Sequence, residues 1–119
     1  MKREFEIIAD LLPDNSRVLD VGCGDGTLMK FLSKEKSIDV RGLELDVENV
    51  EACISKGLSV IEGNAETELG QFPNKSFDFV ILSQTLQAFY SPVTVLDHLL
   101  RIGKSSIVSI PNFGYWKVR

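Results

Sequence analysis

Arg17-Val-Leu-Asp-Val-Gly-Cys-Gly-Asp-Gly26 is the stretch on which the fold turns. An apolar run breaks into glycines at every second position and then returns to apolar residues at Leu28, Phe31 and Leu32, which predicts a buried strand, a tight loop and the start of a helix. Without a Cβ, Gly22, Gly24 and Gly26 reach positive φ and bring bare backbone toward a ligand at the positive end of the helix dipole. The loop is therefore the expected site of a nucleotide-like molecule.

The acids around the loop narrow that molecule. Asp20 closes the strand just before Gly22, and Asp25 lies inside the glycine run, so a pyrophosphate is repelled while an ammonium or a sulfonium is attracted. S-adenosylmethionine carries both cations and no phosphate. The dinucleotide fingerprint asks for a glycine three residues after the second, and Thr27 stands there instead. Glu44, followed by Leu45, ends the next apolar run at the distance where a carboxylate accepts hydrogen bonds from ribose hydroxyls. Cys23 fills space in the loop, with its backbone N–H expected to face the ligand.

The rest of the chain supplies the frame. Phe5, Ile8, Leu11 and Leu12 recur at helical spacing, which predicts a helix over 3–12 that stops before Pro13. A strand at 17–21, a helix over about 26–34 and a strand at 38–45 follow, and Asp46 caps a helix that runs to Lys56 and stops at Gly57. A short strand spans 59–62, and the loop Gly63-Asn-Ala-Glu66 after it faces the same crevice, by the rule for open α/β sheets. There Asn64, beside Ala65, either reads an adenine edge or bonds its own backbone in a turn. Phe77-Asp-Phe-Val-Ile-Leu-Ser83 is the near-continuous apolar run of a central parallel strand. Just past it, Ser83, Gln84 and Thr85 contact ligand or start a helix. Ser91 and Pro92 open a helix that ends at Gly103, and a fifth strand covers 106–110.

Composition bounds the function. The 119 residues, 44% of them hydrophobic, suit one domain over 1–119. A net charge of −4, from 17 acidic and 13 basic residues, offers no basic stripe, so nucleic acid is a poor partner. No apolar run reaches membrane-spanning length, and Met1-Lys-Arg-Glu lacks the apolar segment of a signal peptide, so no membrane is expected and the location is cytoplasmic. Cys23 and Cys53, with only His98 to join them, fit neither a zinc spacing nor a disulfide framework. They are expected as free thiols, with Cys53 in the core, no metal, and His98 at the surface or its boundary.

Strands alternating with helices give an α/β domain with a three-layer, Rossmann-like parallel sheet in the order 3-2-1-4-5. Val18 to Gly26, Glu44 and Phe77-Asp-Phe-Val-Ile81 resemble the first motifs of class I S-adenosylmethionine-dependent methyltransferases. Within that class, Ile81-Leu-Ser-Gln-Thr-Leu-Gln-Ala88 and Ser109-Ile-Pro-Asn-Phe-Gly-Tyr-Trp-Lys-Val-Arg119 resemble the MetW family of methionine-biosynthesis proteins. The resemblance implies a protein that binds S-adenosylmethionine and acts on a small molecule or regulates homoserine O-acetyltransferase. It also implies that Asp20, Gly22, Gly24 and Gly26 line the methionine end, that Glu44 holds the ribose, and that Asn64 and Ala65 approach adenine. Class I enzymes often carry aspartate at the position of Asn64; an amide still pairs with an adenine edge. The family continues beyond residue 119 and its class usually has two more strands, so the chain is expected to lack the last strands of the full sheet. Strand five is then an unpaired edge beside the aromatics Phe113, Tyr115 and Trp116, through which the chain would self-associate or dock a partner. Two other classes stay open: an NAD-dependent oxidoreductase domain and a non-catalytic interaction module. No catalytic base emerges from the residues.

Overall fold

The computed structural model describes residues 2–84, 86–110 and 114–118. In chain order the elements are α1 (Lys2–Leu11), β1 (Arg17–Val21), α2 (Thr27–Glu35), β2 (Asp39–Glu44), α3 (Val47–Ser55), β3 (Ser59–Glu62), α4 (Ala65–Glu68), β4 (Phe77–Leu82), α5 (Pro92–Ile102), β5 (Gly103–Ile110) and β6 (Gly114–Val118). The sheet order is β3-β2-β1-β4-β5-β6, with every pair parallel except the antiparallel β5–β6 pair.

Alternation along the strands divides the core into two. Val18, Val40, Phe79, Ile81 and Ile107 face one side, where α1, α2 and α3 bring Ile8, Leu12, Met29, Leu32 and Cys53. Leu19, Val21, Leu43, Val80, Leu82 and Val108 face the other, against Val95, Leu99 and Ile102 of α5. The period of two thus sends each strand's apolar residues into both layers, which is why β1 and β4 read as apolar runs broken only at Asp20 and Asp78 once past Arg17. Burial of each such side chain contributes roughly 1.5 to 3 kcal/mol, and the layers hold the sheet rigid under its loops.

The expected order of the first five strands is present, and β6 adds to it. Tyr115 pairs with Ser109 and Lys117 with Ile107, so the edge of strand five expected to lie unpaired is covered by the chain's own return. Gly114, at φ +84, lets the backbone enter that return in a left-handed conformation. Phe113 and Thr85 lie outside the described residues, as does the side chain of Trp116. Two local expectations need correction. Strand five starts at Gly103, directly where α5 stops, because Gly103 is extended, at φ −100 and ψ 148, and continues the ladder beside Phe77. The segment after β3 is a helical turn, α4, and no open loop.

β1 is the point where the sheet reverses, since it pairs with β2 on one side and β4 on the other. Crossovers leave these neighbours in opposite directions, so their loops part above the carboxyl ends and open a crevice there.

Candidate functional site

The glycine loop bridges β1 and α2 at the mouth of that crevice. Gly22, Gly24 and Gly26 all have positive φ, at 74°, 59° and 87°, but they do different work. A methyl group built on Gly24 would meet no atom within 4 Å, so its face is open to the crevice. On Gly26 it would stand 2.6 Å from Leu58 Cδ1 and 3.0 Å from Cys53 Sγ, so that glycine is needed for packing of the loop on the helical layer. Gly22 leaves room for Gln84, whose Cβ would be 2.8 Å from such a methyl.

Five of the loop's amides are already bonded. Gly22 and Cys23 donate to Leu43 O at 2.8 and 3.3 Å, Gly26 donates to Cys23 O at 3.2 Å, and Thr27 donates to Asp25 Oδ1 at 3.1 Å. Gly24 N donates to Glu44 Oε1 at 2.8 Å. The Cys23 N–H therefore faces Leu43 and not the ligand, a correction to the expectation from sequence. A phosphate needs a nest of uncommitted N–H groups, and this loop has already spent these five on its own chain and on a carboxylate.

Two carboxylates shape the charge. Asp20 is fully buried in the middle of the sheet; its Oδ1 accepts from Ser83 Oγ at 2.7 Å, and its Oδ2 has no partner among the described residues. Burial pushes its pKa from 3.8 up to about 7, with the Ser83 bond pulling down and the Glu44 carboxylate pushing up. A buried, unpaired carboxylate oxygen is costly unless a cation or donor meets it. Glu44, half-buried at the end of β2, also accepts from Asp46 N at 3.0 Å and Asn49 Nδ2 at 3.5 Å through Oε2, and keeps acceptor capacity on Oε1. Asp25 is turned outward: Thr27 Oγ1 donates to it at 2.6 Å and Lys56 Nζ stands 3.8 Å away, and the Thr27 bond holds its carboxyl below the ordinary range.

Three compartments join along the crevice. The first is lined by Leu43, Leu45, Asn64, Ala65, Phe89 and Tyr90. The second lies over Glu44, Leu45, Asp46, Ser83 and Gln84, and the third over Phe5, Gly24, Thr27, Ser83 and Tyr115. Gly22 borders all three, and among the described residues no lysine or arginine lines any of them. In the first, Leu45 is 64% exposed and offers an apolar face. Asn64 Oδ1 accepts from Glu66 N at 2.9 Å as the cap of α4, the backbone-bonded arrangement expected as one alternative. Its Nδ2 is left to donate, so Asn64 can meet an acceptor nitrogen of a base.

The cysteines are free and buried, with Sγ atoms 3.9 Å apart and Cys23 Sγ filling the space that Gly42 leaves. Burial pushes both thiols up, away from reactivity. His98 is a boundary residue, 3.1 Å from Arg101, far from the crevice lining. Among the described residues no acidic, cysteine and histidine cluster could hold a metal, and no helix is long and apolar enough to cross a membrane. Neither Phe89 and Tyr90 of the first compartment nor Phe5 and Tyr115 of the third stood out in the sequence as wall residues. Phe5 read only as core, and Tyr115 enters the site through β6, a strand that pairs back on its sequence neighbour β5, Ile110 opposite Gly114.

The family model described as "Methionine biosynthesis protein MetW" matches residues 2–119. A bifunctional methionine biosynthesis protein MetXA/MetW from Rhodopirellula baltica is 35% identical over 122 residues, covering 96% of this chain and 20% of its own length. Among solved structures, a SAM-dependent methyltransferase from Thermotoga maritima, described as a possible histamine N-methyltransferase, superposes with a TM-score of 0.73 at 28% identity, over 90% of this chain and 49% of that one. The cyclase SpnF shares the fold, with a TM-score of 0.77 at 21% identity over 89% of this chain and 43% of its own. The chain thus spans one-fifth of that curated relative and about half of these solved proteins.

Proposed function

Because this chain belongs to the MetW family of methionine biosynthesis proteins, we propose that its crevice binds S-adenosylmethionine and that it serves methionine metabolism as a methyltransferase-like domain in the cytoplasm. The observation that carries the reading is the charge of the crevice. Among the described residues Asp20 has a buried oxygen without a partner, Glu44 keeps a free lone pair on Oε1, no basic side chain lines the walls, and five of the loop amides are committed. Such a site suits a nucleoside with cationic groups and no phosphate, which is why it favours S-adenosylmethionine over NAD.

The residues divide the molecule among themselves. Glu44 accepts from the ribose hydroxyls in the middle compartment. Leu45, Ala65 and the donor Nδ2 of Asn64 hold the adenine at one end. Gly22 and Gly24 give backbone room at the other, and Asp20, through its unpaired oxygen and Ser83, supplies negative charge for the methionine ammonium. When bound, S-adenosylmethionine supplies an electrophilic methyl for a nucleophile. The chain's own part is then to orient and to exclude water, since among the described residues neither histidine nor lysine lines the crevice to take a proton. The same arrangement serves a ligand-sensing regulator. The bifunctional relative joins MetXA and MetW in one name, which supports a working partner such as homoserine O-acetyltransferase.

Thermal melts of the purified chain with S-adenosylmethionine, S-adenosylhomocysteine and NAD test the reading, because a ligand that binds only the folded state raises its melting temperature. The two adenosyl compounds are expected to stabilise and NAD to leave the melt unchanged. Stabilisation by NAD alone would reverse the assignment.

A further inference from the structure

The third compartment, of about 380 Å³, is walled by two aromatic rings, Phe5 of α1 and Tyr115 of β6, facing the loop at Gly24 and Thr27. Resting on the reading of the crevice as an S-adenosylmethionine site, we infer that Tyr115 is the residue with which this chain tells the sulfonium of that ligand from the neutral thioether of S-adenosylhomocysteine.

The order of the compartments places the ring. A nucleoside held at Glu44 with its base toward Asn64 must send its sulfur end across Gly22 into the space that Tyr115 closes, because Gly22 and Ser83 are shared between the middle and third compartments. The ring is fixed from two directions. Its backbone pairs with Ser109, its body packs on the layer of Ile8 and Met29, and it shares the compartment with Ser83, whose hydroxyl donates to Asp20 at 2.7 Å. Phe5 is already tilted against Phe31, with centroids 5.7 Å apart, so Tyr115 is the wall with a ring to offer. The aromatic face carries negative potential and attracts a cation most where water is excluded. Among the described residues neither lysine nor arginine lines this space to compete. Burial raises the phenol's pKa first, and the Asp20 and Glu4 carboxylates add to it, the same field that favours a cation beside the ring.

Titration calorimetry with S-adenosylmethionine and S-adenosylhomocysteine on the parent chain, Tyr115→Phe and Tyr115→Leu tests this without any turnover. Tyr115→Leu is expected to lose about three- to thirty-fold more affinity for the sulfonium than for the thioether. Tyr115→Phe, which keeps the ring, is expected to retain the preference. General damage to β6 would weaken both ligands alike, so equal losses in Tyr115→Leu, or no loss, would overturn the inference while leaving the crevice reading intact. A parent chain that takes neither ligand would overturn that reading and this inference with it.

Discussion

Asp20→Asn isolates the charge that organises the site. Asparagine keeps an acceptor for the Ser83 hydroxyl, and it replaces the unpartnered Oδ2 by an amide whose cost does not vary with pH. In the parent chain the carboxyl rises from 3.8 to about 7, so the folded state keeps its proton where the unfolded state has lost it. Stability is therefore highest in acid and is lost as pH rises through the folded value. At roughly 1.4 kcal/mol per pH unit, the parent should lose on the order of 2.5 kcal/mol relative to Asp20→Asn between about pH 5 and about pH 8. The lowered carboxyls of Asp25 and Asp78 work with the opposite sign but at more acid pH, and they cancel in the comparison. Urea unfolding followed by circular dichroism at several pH values gives the difference directly. Saturating S-adenosylmethionine should flatten the parent's slope, because its ammonium stabilises the charged form. Parallel stability curves for the two proteins, without ligand, would refute the argument.

Glu44→Ala should weaken S-adenosylmethionine binding by about 1.5 to 3 kcal/mol, the range for a lost charge-assisted hydrogen bond, read by calorimetry; Glu44→Gln separates the charge from the support the side chain gives Gly24 N and Asp46 N. Gly24→Val should fold, at a cost of about 1 to 2 kcal/mol for its left-handed backbone, and should fail to bind, because its side chain enters open crevice. Gly26→Ala should do the reverse: its Cβ meets Leu58 and Cys53, so it should lose about 2 to 4 kcal/mol in urea unfolding while the protein that remains folded still binds.

The sheet was legible because its signals are local. The apolar run of β1, the breaks at its glycines and the cap at Asp46 each lie within a few residues of the element they define, and Asp46 Oδ1 does accept from Glu48 N at 3.0 Å. The identity of the acids was legible too, since a strand end followed by a loop fixes where Asp20 and Glu44 must stand. What escaped was whatever depends on distant partners. The amides of Gly22 and Cys23 are claimed by Leu43 on the neighbouring strand, and no spacing within the loop reveals that. Gly26 resembles Gly24 in sequence and differs only because Leu58 packs against it. β6 escaped for a different reason: its partner β5 is adjacent in sequence, but its aromatics read as an exposed tail.

A crystal structure of the chain grown with S-adenosylhomocysteine tests the central claim most directly. The account predicts ribose hydroxyls on the Glu44 carboxylate, adenine over Leu45 and beside Asn64, and the amino-acid end against Gly24 and near Asp20. Density for the ligand elsewhere, or a crevice that stays empty at saturating concentration, would contradict it.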